Sequence, residues 1–288
     1  MNKLLPSELI LRDEEAIYHL GLKPNQIAHQ IILVGDQERV AKVSAFFQTI
    51  EHKVQIREFL CHTGVYNGKR LSVISTGIGT DNIDIVINEL DALVNIDFST
   101  RTIKEEKTSL QFVRIGTCGI LQDSIPLKSY ILSTHALGID NVAHYYDRVK
   151  DTETESLLED IVAKIELPKQ IIPYLTKAST FLNQKLESEK TFKGITVTSS
   201  GFYGPQGRSL RLPLAAENML ESFHNMDENG QALVNLEMEC SSLFALAKAL
   251  GHEATAICLG LANRRKKEFA EDYDTAMLDL IQYVLDRI

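Results

Sequence analysis

The chain has only four cysteines, and Cys61, Cys118, Cys240 and Cys258 show no CxxC or CxxH spacing. That pattern offers neither a zinc framework nor a disulfide scaffold, so no metal and no disulfide is expected. Three of the four lie in apolar or glycine-flanked runs and read as small core residues. Also missing is any run near the ~20 apolar residues of a membrane span, or an N-terminal stretch like a signal peptide. A cytoplasmic protein without a membrane partner is the expectation. Positive charge is scarce too: 30 Lys and Arg against 39 Asp and Glu leave a net charge of -9. Nucleic acid and anionic membrane then meet no global attraction, and any anion site must be built locally by a few arginines. No GxGxxG follows the first strand, which removes the dinucleotide dehydrogenase reading of an α/β chain with glycine turns. No internal repeat, low-complexity tract or linker divides the 288 residues, so one domain spanning 1–288 is expected.

The organising stretch is IILVGDQER, Ile31 to Arg39. Its branched apolar run reads as a strand buried on both faces. Gly35 permits a tight turn and Asp36 can cap a helix through Val40, Val43, Phe46 and Phe47. A strand, a glycine turn and a helix N-terminus favour an anion, because the first amides lack partners and the dipole is positive there. Val54 to Val65 and Arg70 to Ser75 read as strands around the turn Tyr66 to Lys69. The second runs into Ser75-Thr76-Gly77-Ile78-Gly79-Thr80, before a helix from Asn82 to Val94. Leu110 to Ile115 reads as a third strand, with Gly116-Thr117-Cys118-Gly119 as its terminal turn. Three such turns would lie on one carboxyl edge of an open sheet, where ligands bind.

Further along, residues 127 to 137 suggest a strand, Asp151 to Glu166 a helix, and Leu175 to Glu189 another helix. Gly194 to Thr198 is strand-like and leads into a loop carrying Phe202, Gln206 and Arg208. Leu233 starts a strand that brings Glu237, Met238 and Glu239, before a helix from Ser241 to Leu250. The carboxylates at i and i+2 would face one side, which is costly unless they bind something; the plain alternative is a helix-capping acid. A strand from Ala254 to Leu261 and a helix from Glu268 to Ile288 close the chain. The fold class expected is α/β, a central mixed β-sheet flanked by helices. An arginine alone is most often a solvated surface charge, but Arg114 lies inside an apolar strand run.

Taken in order, HLGL (His19–Leu22), VGDxxR (Val34–Arg39), REF (Arg57–Phe59), STGIG (Ser75–Gly79), RIGTCG (Arg114–Gly119), FYxxQxR (Phe202–Arg208), NxEMExxxL (Asn235–Leu243) and ANR (Ala262–Arg264) resemble the nucleoside phosphorylase family. Within it the match is to the uridine phosphorylase branch, over roughly residues 19 to 265. The resemblance implies reversible phosphorolysis, in which nucleoside and inorganic phosphate give a free base and ribose 1-phosphate without any cofactor. Phosphate is the nucleophile, so catalysis is mainly positioning and electrostatics.

Residue by residue, the resemblance implies that Gly35, Arg39, Arg114 and Thr117 hold phosphate, with Arg57 lent by a neighbouring subunit. His19 would likewise reach a neighbour's ribose. Glu237, Met238 and Glu239 would hold the ribose, and Phe202, Gln206, Arg208 and Leu261 the base. Arg114, Glu239 and Arg208 would carry the catalytic work. A homo-oligomer, dimer-based and hexameric in the family, follows from the lent residues. Asn263 stands where the purine branch has its proton-donating aspartate, which favours a pyrimidine leaving group. A purine phosphorylase, a nucleosidase of the same fold and a non-catalytic nucleoside-binding protein are the alternatives. The chain departs from the family in Gln37 where proline is usual, in GPQGR at the base loop, and in the charged insertion Arg101 to Lys107.

Overall fold

A computed structural model describes residues 3–148, 151–228 and 230–288. Among them twelve strands form one mixed sheet. The first half supplies β1 (Gln30–Val34), α1 (Gln37–Ser44), β2 (Thr49–Ile56), β3 (Phe59–Tyr66), β4 (Lys69–Ser75), α2 (Thr80–Asn95), β5 (Gln111–Ile120) and β6 (Tyr130–Gly138). The second half supplies α3 (Thr152–Val162), β7 (Tyr174–Lys177), α4 (Thr180–Leu186), β8 (Thr191–Thr198), α5 (Met219–Asn225) and β9 (Asp227–Glu228). It ends with β10 (Gln231–Glu237), α6 (Cys240–Leu250), β11 (Glu253–Asn263), β12 (Glu268–Phe269) and α7 (Asp274–Leu285).

Strand order is β9-β10-β8-β6-β11-β5-β1-β4-β3-β2, with β7 beside β6 and β12 beside β11. Because β10 also pairs with β5 through Asn235 and Leu236, the sheet closes on itself at that end. Strand β1 shows why its residues are apolar throughout. Ile31 and Leu33 enter one core with Ile83, Val86 and Leu90 of α2 and Leu243 and Phe244 of α6. Ile32 and Val34 enter another, with Val40 and Val43 of α1 and Leu280 and Val284 of α7. Strands covered by helices on both faces need apolar side chains on both faces.

Several sequence expectations change in the fold. Val54 to Val65 is not one strand but the hairpin β2–β3, pairing Ile56 with Phe59. Arg57 turns the chain there with φ +54, a left-handed conformation no glycine announces. Gly116 to Gly119 is not a turn: β11 pairs along it, Cys258 with Gly116 and Gly260 with Cys118, so β5 runs on to Ile120. Glycine is needed there for closeness, since a Cβ on Gly116 would lie 2.9 Å from Cys258 Sγ. Leu175 to Glu189 divides into β7 and α4, broken where the Ser179 hydroxyl accepts from Leu182 N at 3.2 Å and caps the helix. The segment 268–288 likewise begins with β12 before α7. The insertion forms a small ribbon, Ile96–Asp97 with Thr102–Ile103, and the Arg101 guanidinium donates to the carbonyls of Leu4 (3.0 Å), Leu5 (3.1 Å) and Leu9. No helix among the described residues is long and apolar enough to cross a membrane.

Candidate active site

Strands β1, β4, β5 and β11 run parallel where they pair, so β1 and β4 deliver their turns to the same edge of the sheet. A cleft of about 810 Å³ opens there, within the range of small-molecule sites. It is lined by Gly35, Arg39, Arg114, Thr117, Glu237, Met238, Glu239, Phe202, Gln206, Arg208 and Leu261. His19 and Arg57, alone among the expected residues, do not line it.

Asp36 begins α1 as expected, accepting from Arg39 N at 2.8 Å, and its other oxygen lies 3.1 Å from Arg39 Nη2. That holds Arg39 over the turn. Arg114 projects from the middle of β5 and is 4 % exposed. Its Nη2 pairs closely with Glu239, and its Nε lies 3.7 Å from Glu237 Oε2. Burial works against the Arg114 charge, but Glu239 and Glu237 outweigh it and hold the guanidinium protonated. Two of its nitrogens, Nε and Nη1, still have no hydrogen-bond partner. Arg39 is pulled down by burial, with Asp36 working against that and Arg114 adding to it. Arg114, with its two unused donors, beside the Arg39 guanidinium forms a site that an anion would stabilise.

Glu237 and Glu239 are not two positions of one strand. Glu237 ends β10, whereas Glu239 is the N-cap of α6. The chain bends between them, and both carboxylates converge on Arg114. Glu239 Oε1 accepts from Gly79 N at 2.8 Å, which ties the turn after β4 into the cluster. Glu237 accepts from the amides of Glu239 (2.8 Å) and Cys240 (3.0 Å) and so sits at the α6 N-terminus. Burial, then the charge of Glu239, pushes Glu237 up to about 7 against the pull of Arg114.

At the other end of the cleft, Gly204 to Gln206 form a short turn closed by Gly207 at φ +68. Leu220 packs 3.0 Å from where a Gly207 Cβ would be, so glycine fits this departure on both counts. Gln206 donates to Ser199 Oγ at 2.9 Å, and its Oε1 accepts from Arg208 Nη1 at 2.6 Å. The Arg208 guanidinium stacks 3.8 Å from the Phe202 ring centre, so it is the arginine that covers this half-exposed ring. Burial, then repulsion from Arg264, pulls Arg208 down to about 10. Sequence reasoning missed Arg264 as a lining residue; its Nη1 is buried and unpartnered. The only signal was its place in the ANR motif. Asn263 also lines the cleft, but its amide donates to Gln122 O at 3.2 Å and accepts from Lys266 N at 3.0 Å.

His19 lies elsewhere, its Nδ1 2.6 Å from Glu89 Oε1 and its amide on the same carboxylate at 3.0 Å. Arg57 is at the exposed hairpin tip, its carbonyl accepting from Gln37 Nε2 at 2.7 Å. Gln37, where the family usually has proline, thus ties α1 to the hairpin. Among the described residues, no cluster of three or more His, Cys, Asp or Glu side chains is arranged to hold a metal ion.

The sequence profile described as the phosphorylase superfamily matches residues 30–287. A uridine phosphorylase of Thermococcus kodakarensis is 29% identical over 274 residues, covering 94% of this chain and 86% of the relative. One from Haemophilus influenzae is 26% identical over 262 residues, covering 89% and 90%. A Trypanosoma brucei nucleoside phosphorylase, described as showing uridine phosphorylase activity, superposes with a TM-score of 0.89 at 29% identity, covering 97% of this chain and 98% of that one. The chain belongs to the phosphorylase superfamily, with the mixed α/β fold of nucleoside phosphorylases.

Proposed function

We propose that this protein cleaves uridine with inorganic phosphate, giving uracil and ribose 1-phosphate. The observation that carries the reading is Arg114, a buried guanidinium whose Nε and Nη1 lack partners at the edge of the cleft. Phosphate would lie against those nitrogens, Arg39 and the Gly35 turn, with Thr117 beside them. Its oxygen attacks the anomeric carbon as the C–N bond breaks and the pair of electrons leaves with the base. Glu239, and Glu237 beside it, would accept from ribose hydroxyls, with Met238 packed against the sugar. Negative charge on the departing pyrimidine would be met by Arg208 and Arg264, with Gln206 fixing the ring's orientation and Leu261 and Phe202 its faces. Uridine phosphorylases among the relatives support this substrate class. The arginines favour phosphate over water as nucleophile. Asn263 has no acidic proton to give, which speaks against purine release.

His19 and Arg57 do not line their own cleft, and a dimer-based homo-oligomer in which a neighbour lends them would complete the site. No cofactor is needed, since phosphate is itself a substrate. The test is base release at fixed phosphate from uridine, deoxyuridine, thymidine and inosine. Uridine should be cleaved and inosine much more slowly; cleavage of inosine in preference to all three pyrimidines would overturn the proposal.

A further inference from the structure

Behind Glu237 runs a buried chain of hydrogen bonds that the reaction as outlined does not use. Asp140, just past β6, is 6 % exposed and accepts from Tyr174 OH (2.9 Å), Ser241 Oγ (2.6 Å) and Val142 N (2.9 Å). Among the described residues no cation pairs with it. The Ser241 hydroxyl is therefore committed to Asp140, while the Ser241 amide donates to Thr198 Oγ1 at 3.0 Å. With an oxygen lone pair engaged there, Thr198 turns its single proton to Glu237 Oε1 at 2.5 Å. A backbone amide can only donate, so that bond leaves the Thr198 proton for Glu237, while the bond to Asp140 anchors Ser241 itself.

We propose that Thr198, backed by Ser241, Asp140 and Tyr174, is a positioning residue that holds the Glu237 carboxylate as an acceptor toward the sugar end of the cleft. This rests on the ribose role proposed above for Glu237. Three donors converge on that carboxylate: the Thr198 hydroxyl and the amides of Glu239 and Cys240. All three favour the ionised form that can accept from a sugar hydroxyl. A plain packing role is the competing explanation, since Thr198 also pairs in the sheet with Glu237 and with Gly138. The two differ in one respect. Packing needs the branched shape, whereas positioning needs the proton.

Thr198→Val keeps the shape and removes the proton, and Thr198→Ser does the reverse. The titratable groups against Glu237 are Arg114 and Cys118 from β5, Glu239 and Cys240 at the start of α6, and Cys258 from β11. None is altered by either substitution, so a moved acidic limb reports the lost hydroxyl. For T198V, KM for the nucleoside should rise about tenfold, the worth of one charge-assisted hydrogen bond, with KM for phosphate within about twofold. The acidic limb of kcat/KM for the nucleoside should also move to higher pH, and T198S should restore both. An unmoved limb in T198V, or a nucleoside KM that T198S fails to rescue, overturns the proposal. Should T198V fail to fold, Ser241→Ala takes its place, with a smaller rise in nucleoside KM at unchanged phosphate KM expected. Equal changes in both constants would overturn it. Wild-type protein that releases no base overturns the functional reading and this proposal with it; an active wild type beside an unresponsive T198V overturns this proposal alone.

Discussion

A guanidinium taken from water into a strand interior must find acceptors, and Arg114 finds too few within the protein. Glu239 takes Nη2, yet Nε and Nη1 remain open, at a cost the fold bears unless an anion arrives. Arg114→Ala should therefore lower kcat/KM by ~10³-fold or more, the scale of a lost transition-state clamp. The chain should still fold, with about 3 kcal/mol less stability, because two buried carboxylates lose their cation. Steady-state kinetics and thermal melting check the two halves separately. Glu237 gives a second expectation at this scale. Its folded value of about 7 lies above the ordinary 4.5, so between those two pH values the folded state binds the extra proton. Stability from this group is then fully present below pH 4.5, and it is lost as pH rises through 7. Activity should move oppositely, since the ionised form accepts from the sugar. The acidic limb of kcat/KM for the nucleoside is expected near 7, and a flat profile from pH 6 to 8 would contradict that, given the value at Glu237.

Elements decide which of these residues meet. The β1–turn–α1 unit was legible because three independent signals agree in one short stretch: an apolar run, a turn glycine and a capping aspartate. Asp36→Ala should cost about 1 kcal/mol from the lost cap. It should also raise KM for phosphate, because the same side chain holds Arg39 at 3.1 Å; chemical denaturation and phosphate titration check each part. Where the reading failed, local chemistry pointed one way and pairing another. Gly116 to Gly119 has the composition of a turn, but β11 supplies partners along it and the glycines serve close packing. The hairpin at Arg57 carries no glycine or proline, so the left-handed residue that breaks the strand was invisible. Residues 175 to 189 read as one helix because β7 is only four residues long. The cleft residues were legible through ordered motifs. Thr198 lies in none of those motifs, and Arg264 ends one without announcing its place in the cleft, because the surroundings of both arise from contacts between distant strands.

For the whole molecule, closure of the sheet through β10 and β5 brings the Glu237–Glu239 corner onto Arg114, making one cleft from widely separated parts of the chain. That cleft contains nothing from His19 or Arg57 of the same polypeptide. If a neighbour lends them, Arg57→Ala and Arg114→Ala should each be nearly inactive alone. Refolded together, they should recover about a quarter of wild-type activity, because about half of random dimers are mixed and each has one intact site. No recovery despite proven mixing would place each site within one subunit. The account as a whole depends on an oxyanion filling the gap beside Arg114 and acting as the nucleophile. The initial rate of uracil release from uridine, measured as phosphate rises from zero, tests this most directly. The rate should start at essentially nothing, climb to saturation, and yield ribose 1-phosphate in equal amount to uracil. Release at an undiminished rate without phosphate, with free ribose as the product, would contradict it.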